Sequence, residues 1–111
     1  MSMATDELAE RIRALLPPNV HCVEKRMFGG IAFMLHGNML VCPMKDGSML
    51  ARVGKEGMHE ALALPGASIM DMGGRSMTGF IVVSGDAIED DDALSDWIDR
   101  SRRFVDTLPP K

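Results

Sequence analysis

Apolar positions recur along this chain with two periods, and the switches between them mark out its elements. After Thr5-Asp6-Glu7, a hydroxyl followed by acids that suit the positive end of a helix, Leu8, Ile12, Leu15 and Leu16 repeat at helical spacing. Arg11 and Arg13 fall toward the far end and Pro17-Pro18 stops the run, which predicts a helix over residues 5–16. The middle of the chain then changes to a period of two. Residues 22–28 read as a strand ended by Gly29-Gly30, and residues 31–36 and 39–44 flank Gly37-Asn38, a two-residue hairpin turn. Asp46-Gly47 leads into another strand over 49–53. Residues 54–64 hold helix formers weakened by Gly57 and closed by Pro65-Gly66, and 68–72 and 77–83 are strands around Gly73-Gly74. The last helix opens on Glu89-Asp90-Asp91-Asp92, carries the stripe Leu94, Trp97, Ile98, Ser101, Val105 and Leu108, and places Arg100, Arg102 and Arg103 in its C-terminal half. Pro109-Pro110 ends it.

The two central turns set a register. The first pairs Leu35 with Leu40, Phe33 with Cys42 and Ile31 with Met44; the second pairs Met44 with Met49, Cys42 with Ala51 and Leu40 with Val53. Both assign Ile31, Phe33, Leu35, Leu40, Cys42, Met44, Met49, Ala51 and Val53 to one core face. Pro43 cannot donate inside a central strand and is expected at a strand end or a bulge. The opposite face then carries Ala32, Met34, His36, Met39, Val41, Pro43 and Leu50, relieved only by Arg52. Phe80 and Val82, or Ile81 and Val83, join it. A sheet covered by helices on one side should be polar on the other. An apolar second face marks a surface for a partner, so Met34, Met39, Val41, Leu50 and Arg52 are the candidate interaction residues.

Length and charge narrow the classes. A chain of 111 residues and 12.1 kDa suits one domain over residues 1–111, with no repeat or linker. Apolar residues make up 46% and charged residues 25%, the balance of a soluble globular protein. A net charge of -4, with Arg100, Arg102 and Arg103 balanced by Asp96, Asp99 and Asp106, argues against direct nucleic-acid binding. No uncharged run spans a bilayer, and the N-terminus lacks the basic start and apolar run of a secretory signal. Cys22 and Cys42 are too few for a disulfide framework, so a cytoplasmic protein with reduced thiols is expected.

Candidate chemistry is sparse. Gly29-Gly30 could present amides to an anion beside Arg26, Arg52 or Arg75, which makes Arg26, Gly29, Gly30 and Arg75 a candidate anion site; the pair equally serves a sharp chain reversal. His21, Cys22, His36, Cys42 and His59 lack the close spacing of zinc ligands, and residues 89–92 lack the alternation and glycine of a calcium loop. No metal and no cofactor is expected. None of Ser48, Ser68, Ser76, Ser84 and Ser95 sits in a nucleophile elbow, so no catalytic residue is assigned. The eleven methionines stand out, most of them in the predicted strands.

Arg26-Met27-Phe28-Gly29-Gly30, Phe33, Gly37, Arg52-Val53-Gly54, Gly74-Arg75-Ser76-Met77, Leu94 with Trp97, and Leu108-Pro109-Pro110-Lys111 together resemble the TfoX/Sxy N-terminal domain family over nearly the whole chain. The resemblance implies an α+β fold of two layers, similar to secretion chaperones, with helices on one face of an antiparallel sheet. The order read above, α-β(3–4)-α-β(2)-α, agrees with it. Two-domain members regulate competence for DNA uptake and act with a cyclic-AMP receptor protein at promoters. This chain stops at Lys111, so their C-terminal helical domain is expected to be absent. The expected function is a non-enzymatic regulatory module that binds protein partners and itself as a homodimer. The alternative is a sensor of small molecules or anions that uses the open sheet face.

Overall fold

The computed structural model describes residues 3–27, 29–72 and 74–110, with side chains for all of these except 3, 4, 71, 72, 75 and 76. Phe28 and Gly73, which the sequence places in strand-ending turns, lie outside the described residues. Helix α1 (Met3–Leu15) leads into strands β1 (Val23–Met27), β2 (Gly30–Leu35), β3 (Asn38–Pro43) and β4 (Met49–Arg52). Short helix α2 (Met58–Leu62), strands β5 (Ala67–Met72) and β6 (Arg75–Val83), a 3-10 turn (Gly85–Ile88) and helix α3 (Asp91–Val105) follow. All six strands form one antiparallel sheet in the order β1-β2-β3-β4-β6-β5. The expected α+β architecture and element order hold.

The helices lie on one face because their apolar stripes have only that face to meet. Leu8 and Ile12 of α1 and Leu94, Trp97, Ile98 and Val105 of α3 close over Ile31, Phe33, Leu35, Met49, Ala51, Ile81 and Val83. Arg11 ties the two long helices together. Its guanidinium donates to Asp91 at the start of α3 (2.9 and 3.1 Å) and to the carbonyls of Ile88 and Glu89 (2.7 and 3.0 Å). The acidic run therefore anchors α1 as well as opening a helix. Helix α1 begins two residues before its predicted start: Thr5 lies inside it, fully buried, and does not cap it. The 54–64 segment yields only five helical residues, with Gly57 at the N-cap position.

Register departs from expectation in one strand. The first hairpin turns on His36-Gly37, with φ of 53 and 84°, the positive pair that a type I′ turn requires. Asn38 is withheld from the turn because it is a buried strand residue whose amide nitrogen donates to the carbonyl of Pro109, 3.1 Å away. Met34 then pairs with Met39, but Phe33 pairs with Val41, so Leu40 is the extra residue of a β-bulge. Leu40 and Val41 both face the helices, fully buried, and Cys42 is turned to the other side. The second turn takes three residues, Lys45 to Gly47, ending on Gly47 at φ 88°, and pairs Cys42 with Leu50 and Pro43 with Met49. Pro43 closes its strand, as expected. Cys42 and Met44 do not belong to the helix-side core, and Val41 does.

Candidate functional site: the helix-free face of the sheet

Strand residues on the side without helices form a second apolar layer. Ala32, Met39, Cys42 and Leu50 are buried at its centre, under Met27, Met34, Met44, Met70, Phe80 and Val82, which are half-buried. Among the described residues, six of these ten side chains carry sulfur, against three (Cys22, Met49 and Met58) of the 29 in the helix-side core. The centre includes the short side chains of Ala32 and Cys42, and four of the six rim residues are methionines, whose flexible chains fold inward and bury the centre without a helix.

The register shows how this layer is built. Continuing the Phe33–Val41 pairing sets Ala32 beside Cys42 and Gly30 beside Met44, and β1 sets Met27 opposite Gly30. A row of Met27, Gly30 and Met44 therefore crosses three strands, with Gly30 and Ala32 as a low floor between sulfurs. Gly30 is required there: a Cβ would stand 1.9 Å from the Pro43 carbonyl oxygen. The Cys42 sulfur lies 3.9 Å from the Met44 sulfur and 3.8 Å from the Met27 carbonyl oxygen. Burial pushes its thiol up to about 11, so it is protonated at neutral pH. Burial also raises Cys22.

At the end of β4, Arg52 lies over two rings, 5.4 Å from the centroid of Phe80 and 5.7 Å from that of Phe104. Phe104 belongs to α3, so this cation reaches from the helix-free layer to the helices. The ring itself rests against Gly54, where a Cβ would stand 2.3 Å from it.

The family model of the TfoX N-terminal domain matches residues 14–105, from the last turn of α1 through the last residue of α3. The chain belongs to the TfoX N-terminal domain family. Comparison with curated proteins and with solved structures gives no match. The matched span contains the whole sheet, and with it the helix-free layer.

On this TfoX N-terminal fold the predicted interaction residues separate. Met34, Met39 and Leu50 lie on the helix-free side, but only Met34 is partly open; Met39 and Leu50 are buried within the single chain. Val41 is corrected to the helix-side core, because the bulge at Leu40 reverses its direction. Arg52 is half-buried against its rings. Of the arginines predicted around the anion site, Arg26 and Arg52 do not converge. Arg26 is opposite Ile31, on the helix side of edge strand β1, while Arg52 is on β4, three strand spacings or about 14 Å away and on the other face. Gly29 is exposed at φ 74° beside the buried Gly30, and the side chain of Arg75 lies outside the described residues.

Sequence reasoning missed Met27, Met44, Met70, Phe80 and Cys42 as one cluster. Cys42 and Met44 share a face by their two-residue spacing; only the bulge says which face. A separate cleft of about 530 Å³ opens on the helix side between α2 and α3, lined by Val53, Lys55, Glu60, Arg100, Arg103 and Phe104. Arg100 there is held by Asp96 (2.8 Å) and Glu60 (3.1 Å). That cleft is not on the open sheet face where a sensor pocket was expected.

Proposed function

We propose that this TfoX N-terminal domain is a non-enzymatic regulatory module of the competence-regulator type, and that it acts by binding protein through its helix-free face. A second copy of the chain is the first partner. The observation that carries the reading is the apolar, sulfur-rich rim of Met27, Met34, Met44, Met70 and Phe80, which no helix covers. Val23, 62% exposed and opposite Met34, extends the rim to the β1 edge. Methionine suits such a surface because an unbranched thioether re-fits at little strain. Against catalysis stands the state of both thiols, raised by burial away from the reactive thiolate. Against direct DNA contact stands the -4 charge, with Arg100 locked to two carboxylates.

Light scattering at rising concentration tests the reading, with Met34→Lys as the comparison. Wild type is expected to gain mass with concentration while Met34→Lys, equally folded, stays monomeric. A monomer throughout, or an unchanged dimer in the variant, removes self-association through this face.

A further inference from the structure

Sulfur is concentrated on one face of the sheet. The helix-side core fills comparable gaps with branched aliphatics and few sulfurs, whereas on the helix-free side thioethers surround a single thiol. We propose that Cys42, Met44 and Met27 form a binding site for a soft monovalent d10 metal ion, Cu(I). Soft thiolate and thioether donors select that ion over harder divalent metals.

Geometry supports it. Two metal–sulfur bonds of about 2.3 Å at a trigonal angle of about 120° hold their sulfurs about 4.0 Å apart. The Cys42 and Met44 sulfurs already lie 3.9 Å apart. Met27, on β1, packs against the same cluster, with its backbone carbonyl oxygen 3.8 Å from the thiol, and Gly30, opposite it, puts no side chain between the two strands. Ala32, beside Cys42, keeps the floor low for an ion. Met27 and Met44 are half-buried over the buried Cys42, so an ion enters from solvent past two thioethers.

Charge explains the oxidation state. On binding, the thiol gives its proton to solvent and a sulfur–metal bond replaces the sulfur–hydrogen bond; no electron moves. A thiolate with one Cu(I) is neutral overall, which an apolar layer accepts. A divalent ion would leave a net positive charge there, with no described carboxylate in the cluster to offset it. The inference does not rest on self-association, because it is read per chain in monomer or dimer.

The test titrates Cu(I) anaerobically against the chelator bicinchoninate, with Ag(I) as the redox-inert probe, on the Cys22→Ala chain so that a single thiol remains. The expected result is one ion per chain, a thiolate-to-metal absorption band in the ultraviolet, a higher Tm and no competition by Zn(II). The double variant Met27→Leu/Met44→Leu, which keeps the layer apolar, should bind at least about tenfold more weakly, the loss typical even of supporting groups around a metal. Cys42→Ala should not bind. Absence of binding, undiminished affinity in the double leucine variant, or retained binding in Cys42→Ala would each overturn the proposal. If Cys42→Ala does not fold, the leucine variant decides alone.

Discussion

Gly30→Ala is the sharpest probe of the register on which the helix-free face depends. Its new methyl group would stand 1.9 Å from the Pro43 carbonyl oxygen, 3.0 Å from that carbonyl carbon and 3.2 Å from Met44 Cα. Ordinary contact begins near 3.4 Å, so β2 and β3 must part locally by about 1.5 Å, and both neighbours are backbone that cannot swing aside. Parting by that much stretches an N–H···O distance of about 2.9 Å beyond hydrogen-bonding range. Losing one or two ladder bonds at about 1 kcal/mol each, with overpacking at about 1–3 kcal/mol, gives a cost of about 2–5 kcal/mol. That is a large part of the 5–15 kcal/mol typical of a domain. At about 4 °C per kcal/mol for this size, Tm should fall by about 8–20 °C.

Gly29→Ala is the control. Its φ of 74° is the left-handed value that disfavours a side chain, yet the nearest atom beyond its chain neighbours is Lys45 Cδ at 3.8 Å. Backbone strain alone costs about 1–2 kcal/mol. A rule based on φ ranks Gly29 as the more sensitive glycine; packing reverses the order. Thermal and urea melts of the two variants decide it. If Gly30→Ala melts within a few degrees of wild type, or if Gly29→Ala is the worse variant, the β2–β3 register with its bulge at Leu40 is wrong.

Val41→Lys should abolish the cooperative melt, because it buries a charge in the helix-side core, whereas Met34→Lys on the half-buried rim should change stability by no more than about 1 kcal/mol; circular dichroism melts check both. The Arg13 guanidinium, bound through two hydrogen bonds of 2.6 and 2.7 Å, holds the Glu24 carboxyl below its ordinary 4.5, and Ser48 holds Asp46 below 3.8. A carboxyl lowered in the folded state stabilises above its unfolded value and loses that contribution as pH falls through the folded one. Urea melts should therefore weaken below about pH 4.5, and Glu24→Gln should flatten that slope by about 0.5 kcal/mol, the size of an exposed pair. In about 0.15 M salt the chain should not shift a DNA duplex at micromolar concentration; a clear shift would replace the protein-binding reading with direct recognition.

Most of the architecture was legible because most elements carry a phase. The stripe of α3 has a polar side that fixes its orientation, β2 alternates Ile31, Phe33 and Leu35 with Gly30, Ala32 and Met34, and the predicted core positions in β2 and β4 are buried facing the helices. Strand β3 has no such phase. Met39, Leu40, Val41, Cys42 and Pro43 are apolar throughout and all buried, so either parity satisfies the pattern. Each turn next to β3 was misread: the first lies on His36-Gly37 because Asn38 serves Pro109, and the second has three residues. After the bulge both pairings are off by one residue. The two errors cancel between β2 and β4, and the mutual agreement of the two turns left Val41, Cys42 and Met44 on the wrong faces. A bulge inside a run that is apolar from Met39 to Pro43 leaves no trace in the sequence.

The same absence of phase explains what the helix-free face is. A strand apolar on both sides must be covered on both sides, and this chain has helices for only one of them. Its solution is internal to the sheet. Small groups at Gly30, Ala32 and Cys42 lower the centre, and methionines from β1, β2 and β5, with Met44 after β3, lie over it. The centre then behaves as core and the rim as surface, although all of it belongs to one face. A cover made of unbranched side chains can be lifted or re-seated by whatever docks on it, at a few rotamer changes and without breaking a strand. Aliphatic branched residues would have sealed the face equally well and fixed its shape. The choice of sulfur keeps it adaptable to a partner, and the one thiol beneath that cover is what a soft metal ion would need.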